Sequence, residues 1–315
     1  MNTTLLGRTG LKVSVLGLGT GGHSRLGLSH GKPLEHAANL VRLALDQGIN
    51  FIDTAEVYDT EAAIGLGIQG RRREDFVLST KIAPRIQNRI KTTSEIEQSL
   101  AASLARMRVE YVDLYMIHAV APDDYEIIER DFYPVLQRFR EKGMLRFIGL
   151  SEGFGPDREH RMLSKAIRSH GWDVIMTGFN YLNQSARNLV LPAAKEKHIG
   201  VLNMFAVRHA LIDQQRLQPI VTRLVKDGII DKEAIDCLRP LQFLFDDAGV
   251  EDFTEAGYRF CLAEPGIHVV LTGTGSEEHL KRNIASINKG PLDSRSVERL
   301  KAIFKNVRNE NGEDA

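Results

Sequence analysis

A chain of 315 residues, 43% apolar and 26% charged, has the composition of a globular protein and is long enough for one large domain or two ordinary ones. Lys plus Arg and Asp plus Glu both number 41, so the formal net charge is zero and the basic bias of a nucleic-acid or anionic-membrane binder is missing. Two cysteines, Cys237 and Cys261, stand without metal-ligand spacing, which argues against a disulfide framework and for a reducing compartment.

The N-terminus lacks the basic-then-apolar pattern of a signal peptide, and no apolar run approaches the ~20 residues of a membrane helix. A soluble, cytoplasmic protein is expected. The one tight basic run, Arg71-Arg72-Arg73, is followed at once by Glu74 and Asp75 and reads as a solvated turn.

In chain order, residues 3–6, the turn Gly7-Arg8-Thr9-Gly10 and residues 11–12 predict a hairpin that plugs one end of the fold. Apolar runs then predict strands over 13–18, 50–54, 76–80, 112–117, 147–150, 174–179, 201–205 and 269–271. Helical spacing lies between them, as in 35–47, with Ala38, Val41, Ala44 and Leu45, and in 94–106, with Ile96, Leu100, Ser103 and Leu104. Gly48, Gly143, Gly171 and Gly200 each stand between a helix and the next strand, where a left-handed C-cap is expected.

Continuously apolar strands imply burial on both faces, hence a parallel sheet covered by helices. Eight such units favour a closed (β/α)8 barrel of α/β class, a single domain over 1–315. The stretch 207–253 is a long insertion after strand seven, helical by pattern over 214–226 and 231–237, and is expected to act as a lid or specificity loop. The polar, acidic tail over 305–315 is expected to fray.

Successive strand ends deliver Asp53 and Tyr58, then Lys81, then His118. In a parallel barrel those ends open on one face. A Lys beside a Tyr favours the phenolate and lowers the phenol's pKa, and an Asp holding that Lys fixes its place. Such a phenol can act as a general acid, a neutral imidazole orients a substrate oxygen, and together they polarise a carbonyl. The missing reactant is a hydride donor, which a nicotinamide supplies. His118 has no partner at metal-ligand spacing, so no metal is expected.

With these motifs in order, the chain resembles the aldo-keto reductases over nearly its whole length. The matching stretches are Phe51-Ile52-Asp53-Thr54-Ala55 through Tyr58 and Glu61, Leu78-Ser79-Thr80-Lys81, Asp113 through His118, Gly143 through Ser151, and Leu271 through Ser276 with His279 and Asn283. The resemblance implies a (β/α)8 barrel and NADPH-linked carbonyl reduction. Tyr58 is then the proton donor, Lys81 and Asp53 tune it, and His118 orients the substrate.

A Rossmann site is not expected. Instead Thr272, Gly273, Thr274, Gly275 and Ser276 end strand eight and open a helix, where backbone amides can hold phosphate. The resemblance adds Gly19, Thr20, Asp53, Ser151, Glu152, Met176, Met204, Phe205, His279 and Asn283 to the cofactor site. Three of these depart from the common pattern. Glu152 stands where an Asn usually holds the nicotinamide carboxamide, Met176 where a Gln is frequent, and Met204 where an aromatic usually stacks on the nicotinamide, with Phe205 next to it.

Many relatives carry Arg where this chain has His279, with Lys281 and Arg282 close by, so NADPH is the implied coenzyme and NADH the alternative. A small-molecule carbonyl or alcohol (aldehyde, ketone or sugar) is the expected partner, met by residues 19–23, Ala119, Val120 and the insertion. His23, Arg25, Arg208 and His209 suit polyhydroxylated or anionic substrates. The rival class is a nicotinamide-binding regulatory or sensor protein with slow turnover, since some members of the resembled family serve as channel-associated subunits. The sequence leaves the oligomeric state and the reaction direction open.

Overall fold

The computed structural model describes residues 1–169, 171–310 and 312–313. Eight parallel strands close into a barrel: β1 (Leu16–Gly19), β2 (Phe51–Asp53), β3 (Val77–Ile82), β4 (Val112–Val120), β5 (Leu145–Glu152), β6 (Val174–Gly178), β7 (Gly200–Met204) and β8 (Val269–Thr272). Pairing of Val270 with Leu16 joins β8 to β1 and leaves no open edge.

The alternation of side chains across each strand sets the core and the site together. Phe51, Val77, Leu114, Met116, Val174, Met176 and Leu202 point inward and pack as one buried cluster. Ile52, Leu78, Tyr115, Ile117 and Ile175 point outward and pack in the layer shared with the helices. Two residues beyond an inward apolar side chain, the same face carries Asp53, Ser79 and His118, and two further on from Ser79 it carries Lys81. The polar site is the top layer of the barrel interior.

For this reason several strands run further than the apolar pattern suggests. Lys81, His118, Ser151 and Glu152 lie inside β3, β4 and β5 rather than after them. The strand expected over 13–18 is in fact two. Lys12–Ser14 pairs antiparallel with Thr3–Leu5, in register Thr3 with Ser14, and the barrel strand begins only at Leu16. That hairpin presses Leu6, Leu11 and Val13 into the bottom of the inner cluster.

Gly48 (φ +87°) and Gly143 (φ +72°) are left-handed as expected, but Gly171 and Gly200 are not. Gly200 opens β7, and a Cβ there would lie 2.9 Å from the Leu6 side chain, so close approach of the hairpin requires it. His198 takes the left-handed position ahead of that strand.

The helix Thr93–Met107 starts in a capping box, with Thr92 accepting from the Glu95 amide and Glu95 accepting from that of Thr92. In the insertion, helix Gln214–Lys226 forms where the pattern predicts, capped by Asp213. Residues 231–237 do not form the expected helix: only the 3₁₀ turn Lys232–Ala234 is present, and a short helix follows at Phe243–Asp246. No described helix is long and apolar enough to cross a membrane.

The tail does not follow the expectation of fraying over its described residues. The Asn183 side chain donates to the carbonyls of Arg308 (3.0 Å) and Glu310 (2.7 Å), and the Ala210 amide donates to that of Gly312 (2.9 Å). Glu310 pairs with Arg223 at 2.7 Å. Backbone groups that find partners hold a polar segment down regardless of its composition. Residues 311, 314 and 315, also covered by that expectation, lie outside the described residues.

Candidate active site

Above the top layer lies a cavity of about 850 Å³, lined on its floor by Asp53, Tyr58, His118, Met176 and Met204. The Lys81 ammonium is fully buried beneath it, 2.5 Å from Asp53 Oδ2 and 2.8 Å from the Thr54 carbonyl. Ser79 Oγ donates to the other Asp53 oxygen at 3.0 Å. Tyr58 comes from the 3₁₀ turn Glu56–Tyr58 just past β2, and its hydroxyl is 3.0 Å from His118 Nε2. Lys81 Nζ lies 5.2 Å from the centre of the Tyr58 ring.

Burial pushes the Tyr58 phenol above its usual pKa of 10.0, and Lys81, pulling the other way, does not overcome it. Lys81 does pull this pKa down as expected, but desolvation outweighs it, so the expected net lowering is corrected to a rise and the phenol keeps its proton at neutral pH. Burial, reinforced by the Lys81 charge, holds the His118 imidazole down at about 3, so it is neutral. Lys81 stays an ammonium: burial opposes its charge, but Asp53 and Tyr58 together raise its pKa.

Most residues expected at the cofactor line this same cavity: Gly19, Asp53, Ser151, Glu152, Met176, Met204, Phe205, Thr272, Gly273, Thr274, His279 and Asn283. Three do not. Thr20 is buried, with its hydroxyl 2.7 Å from that of Thr60, which in turn lies 2.8 Å from that of Thr54. It braces the loops beneath the site. Gly275 packs on the loop at Gly27, where a Cβ would come within 2.7 Å of the Gly27 amide nitrogen. Ser276 is the N-cap of helix Glu277–Asn288, accepting from the His279 amide.

Bare backbone walls the cavity between β1 and β8. A Cβ at Gly273 would lie 2.9 Å from the Gly19 carbonyl oxygen, and one at Gly21 would lie 2.6 Å from Tyr58 ring carbons. With helix Glu277–Asn288 beginning beside it, this wall fits a phosphate-bearing dinucleotide, which needs close backbone approach and a helix N-terminus.

Glu152 is turned away from the role expected of it. Its carboxylate accepts from the Gly178 amide (2.8 Å) and Thr177 Oγ1 (2.9 Å), and one oxygen lies 2.8 Å from His160 Nδ1. The Ser151 hydroxyl likewise accepts from the Ala119 amide at 2.8 Å. His160, Thr177 and Phe154 escaped the sequence reading because no local period links them to Glu152. Phe154 stacks on both His160 and Phe205, with ring centres 5.6 and 6.0 Å apart. Gly153-Phe154-Gly155-Pro156, a readable loop signal after strand five, lines the cavity as well.

At the rim, the Arg208 guanidinium lies 3.8 Å over the Phe205 ring. Glu313 pairs with Arg208 and lies 3.0 Å from His23 Nε2, and the His23 and His209 rings are 4.8 Å apart. Arg25 is directed to Asp59 (3.2 Å) and does not line the cavity. Of the insertion, Val207, Arg208, His209 and Ile212 reach it.

A parallel barrel with this polar floor defines an oxidoreductase of aldo-keto reductase type. The chain belongs to the aldo/keto reductase family, whose model matches residues 15–305. It is 27% identical to the L-galactose dehydrogenase of Arabidopsis thaliana, over 96% of this chain and 94% of that protein. It is also 25% identical to the uncharacterized oxidoreductase YqkF of Bacillus subtilis, over 97% of each chain. Its fold is similar to that of the aldo-keto reductase AKR11C1 from Bacillus halodurans in the holo form, with a TM-score of 0.71, 22% identity, and 98% and 100% of the two chains covered. Enzymes of this family act on carbonyls and sugars with NAD(P)H.

Proposed function

We propose that this chain reduces an aldehyde, ketone or sugar carbonyl, or oxidises the matching alcohol, with Tyr58 as the general acid or base. The observation that carries this reading is the 3.0 Å contact between the Tyr58 hydroxyl and His118 Nε2 at the floor of the cavity. When bound, the dinucleotide supplies the hydride. Tyr58 gives its proton to the carbonyl oxygen as that oxygen gains electrons. His118, neutral, holds the oxygen by a hydrogen bond, and Lys81 offsets the charge left on the phenol. Asp53 keeps the ammonium in place through the 2.5 Å ion pair.

The residues proposed to hold the cofactor are those lining the cavity, with Ser151, Met176 and Met204 towards the nicotinamide and Thr272, Gly273 and Thr274 towards the diphosphate. NADPH is the coenzyme proposed. Arg282 lines the cavity beside His279, where it can meet a 2′-phosphate, although Asp252 lies 3.6 Å from its guanidinium and competes for that charge. A polyhydroxylated substrate is supported by the polar rim of His23, Arg208 and His209 and by likeness to an L-galactose dehydrogenase.

The test is a fluorescence titration with NADPH and with NADH, followed by turnover with a reactive aromatic aldehyde. Binding with Tyr58-dependent oxidation of the cofactor is expected. Binding without turnover would favour a sensor, and binding of neither dinucleotide would defeat the reading.

A further inference from the structure

The short antiparallel hairpin after β3, Arg85–Ile86 paired with Arg89–Ile90, does not line the cavity, yet its feet are tied by ion pairs, one to the turn that carries Tyr58 and the other to the loop that follows the strand of His118. At one foot, Lys91 Nζ lies 2.5 Å from Glu56 Oε1 and 2.9 Å from Ser99 Oγ. The same Glu56 oxygen accepts from the Ala83 amide at 2.8 Å. Glu56 begins the turn that ends in Tyr58, and Ala83 follows Lys81 by two residues, so this carboxylate joins the phenol's turn to the strand of the ammonium. Lys91 and Glu56 are only 9% and 13% exposed, an environment in which an unpaired charge is costly.

At the other foot, the Arg85 guanidinium grips Asp124 with two parallel bonds of 2.8 and 2.5 Å. Asp124 sits in the loop leaving β4, beyond His118, and its amide is held by the Ala121 carbonyl at 3.1 Å. The hairpin is closed on itself by the Lys91 amide to the Pro84 carbonyl (3.0 Å) and by Arg85 to the Asn88 carbonyl (2.9 Å). A stiff element thus spans from the Tyr58 turn to the loop that follows the strand of His118.

We propose that this hairpin is a brace that sets the Tyr58–His118 distance, with Glu56, Lys91, Arg85 and Asp124 as positioning residues; the proposal rests on the reading of Tyr58 as the proton donor. A largely buried ion pair at one foot and a two-bonded guanidinium–carboxylate pair at the other, in a segment that does not line the active-site cavity, have their use in geometry. Freed of Lys91, Glu56 no longer ties the turn to the hairpin, and the phenol loses its fixed approach to the carbonyl oxygen.

The test compares Lys91→Met, Lys91→Arg, Glu56→Gln and Arg85→Met with the unaltered full chain, using an aromatic aldehyde and NADPH, with thermal melting to confirm folding. Glu56→Gln is isosteric and keeps an acceptor for the Ala83 amide, so it reports on the strut even where Lys91→Met folds poorly. The brace predicts that kcat falls about tenfold in Lys91→Met and Glu56→Gln, while aldehyde KM and NADPH affinity change by no more than about twofold. Lys91→Arg recovers most of the rate. Adding Lys91→Met to Tyr58→Phe lowers the residual rate no further, because the strut acts through the phenol. An unchanged kcat in folded strut variants, or the same loss in the Tyr58→Phe background, would overturn the brace alone. Full activity of Tyr58→Phe itself would overturn the reading on which the brace rests.

Discussion

Tyr58 Oη and His118 Nε2 lie 3.0 Å apart although 60 positions separate the two residues in the chain. One stands on a 3₁₀ turn past β2 and the other inside β4, so β3 runs between their strands and brings Lys81 up beneath them. The pairing joins a phenol that burial keeps protonated to an imidazole that burial keeps neutral. Both are in the state that the proposed reduction requires.

This sets the pH dependence of turnover. Because the folded-state pKa of Tyr58 is raised, the phenol keeps its proton until pH rises past the ordinary phenol value of 10.0. The kcat for aldehyde reduction is expected to lack a Tyr58 ionisation between about pH 6 and pH 9. A profile measured with and without Tyr58→Phe checks this, and a Tyr58-dependent break near neutrality would contradict it.

Stability carries the matching acid-side signature. The His118 pKa is depressed from 6.5 to about 3, so its neutral form stabilises the fold fully above 6.5, and that contribution is lost as pH falls towards 3. In His118→Gln, urea denaturation across this window is expected to show a shallower loss of stability, by about one proton's worth of slope. An unchanged slope would contradict a neutral, buried His118.

Removing the carboxylate under Lys81 isolates a buried charge. Asp53→Asn leaves a fully buried ammonium without its counter-ion and is expected to cost about 3–5 kcal/mol in urea unfolding, in addition to lost turnover. Unaltered stability would mean that the pair is not buried as described.

Space beside the phenol is set by a missing side chain. Gly21→Ala places a methyl 2.6 Å from Tyr58 ring carbons and must displace the ring. The expected result is a loss of kcat of about tenfold or more, with the melting temperature changed little.

Coenzyme choice tests the far end of the cavity. Arg282→Ala is expected to weaken NADPH about tenfold and leave NADH nearly unchanged. Equal effects on both would place Arg282 away from the 2′-phosphate.

Much of this was legible in the sequence because one alternation serves two purposes. Inward residues Phe51, Val77 and Leu114 build the core, and the same phase carried upward gives Asp53, Lys81 and His118. Strand ends were less legible, since an apolar run stops where the polar layer begins although the ladder continues through Lys81 and the strand of His118 runs on past a break in register after Ile117. Val13 belongs to the hairpin because its partner is Thr4, which no apolar count reveals. The sign of the Tyr58 shift needed three dimensions, because adjacency to Lys81 is visible in the chain and the depth of burial is not. Glu152 was placed by likeness to other chains, but its side chain answers to His160, Thr177 and the Gly178 amide, contacts that only folding creates. The tail reads as solvated by composition, yet at Arg308 and Glu310 it is held by the side chain of a distant asparagine, Asn183.

The most direct measurement is kcat for an aromatic aldehyde in Tyr58→Phe beside a fluorescence titration of the same protein with NADPH. A fall in kcat of about 10²- to 10⁴-fold, with NADPH affinity unchanged, is the predicted result. Full turnover in the phenylalanine variant would show that the proton comes from elsewhere and that the Tyr58–His118 pair is not the catalytic centre.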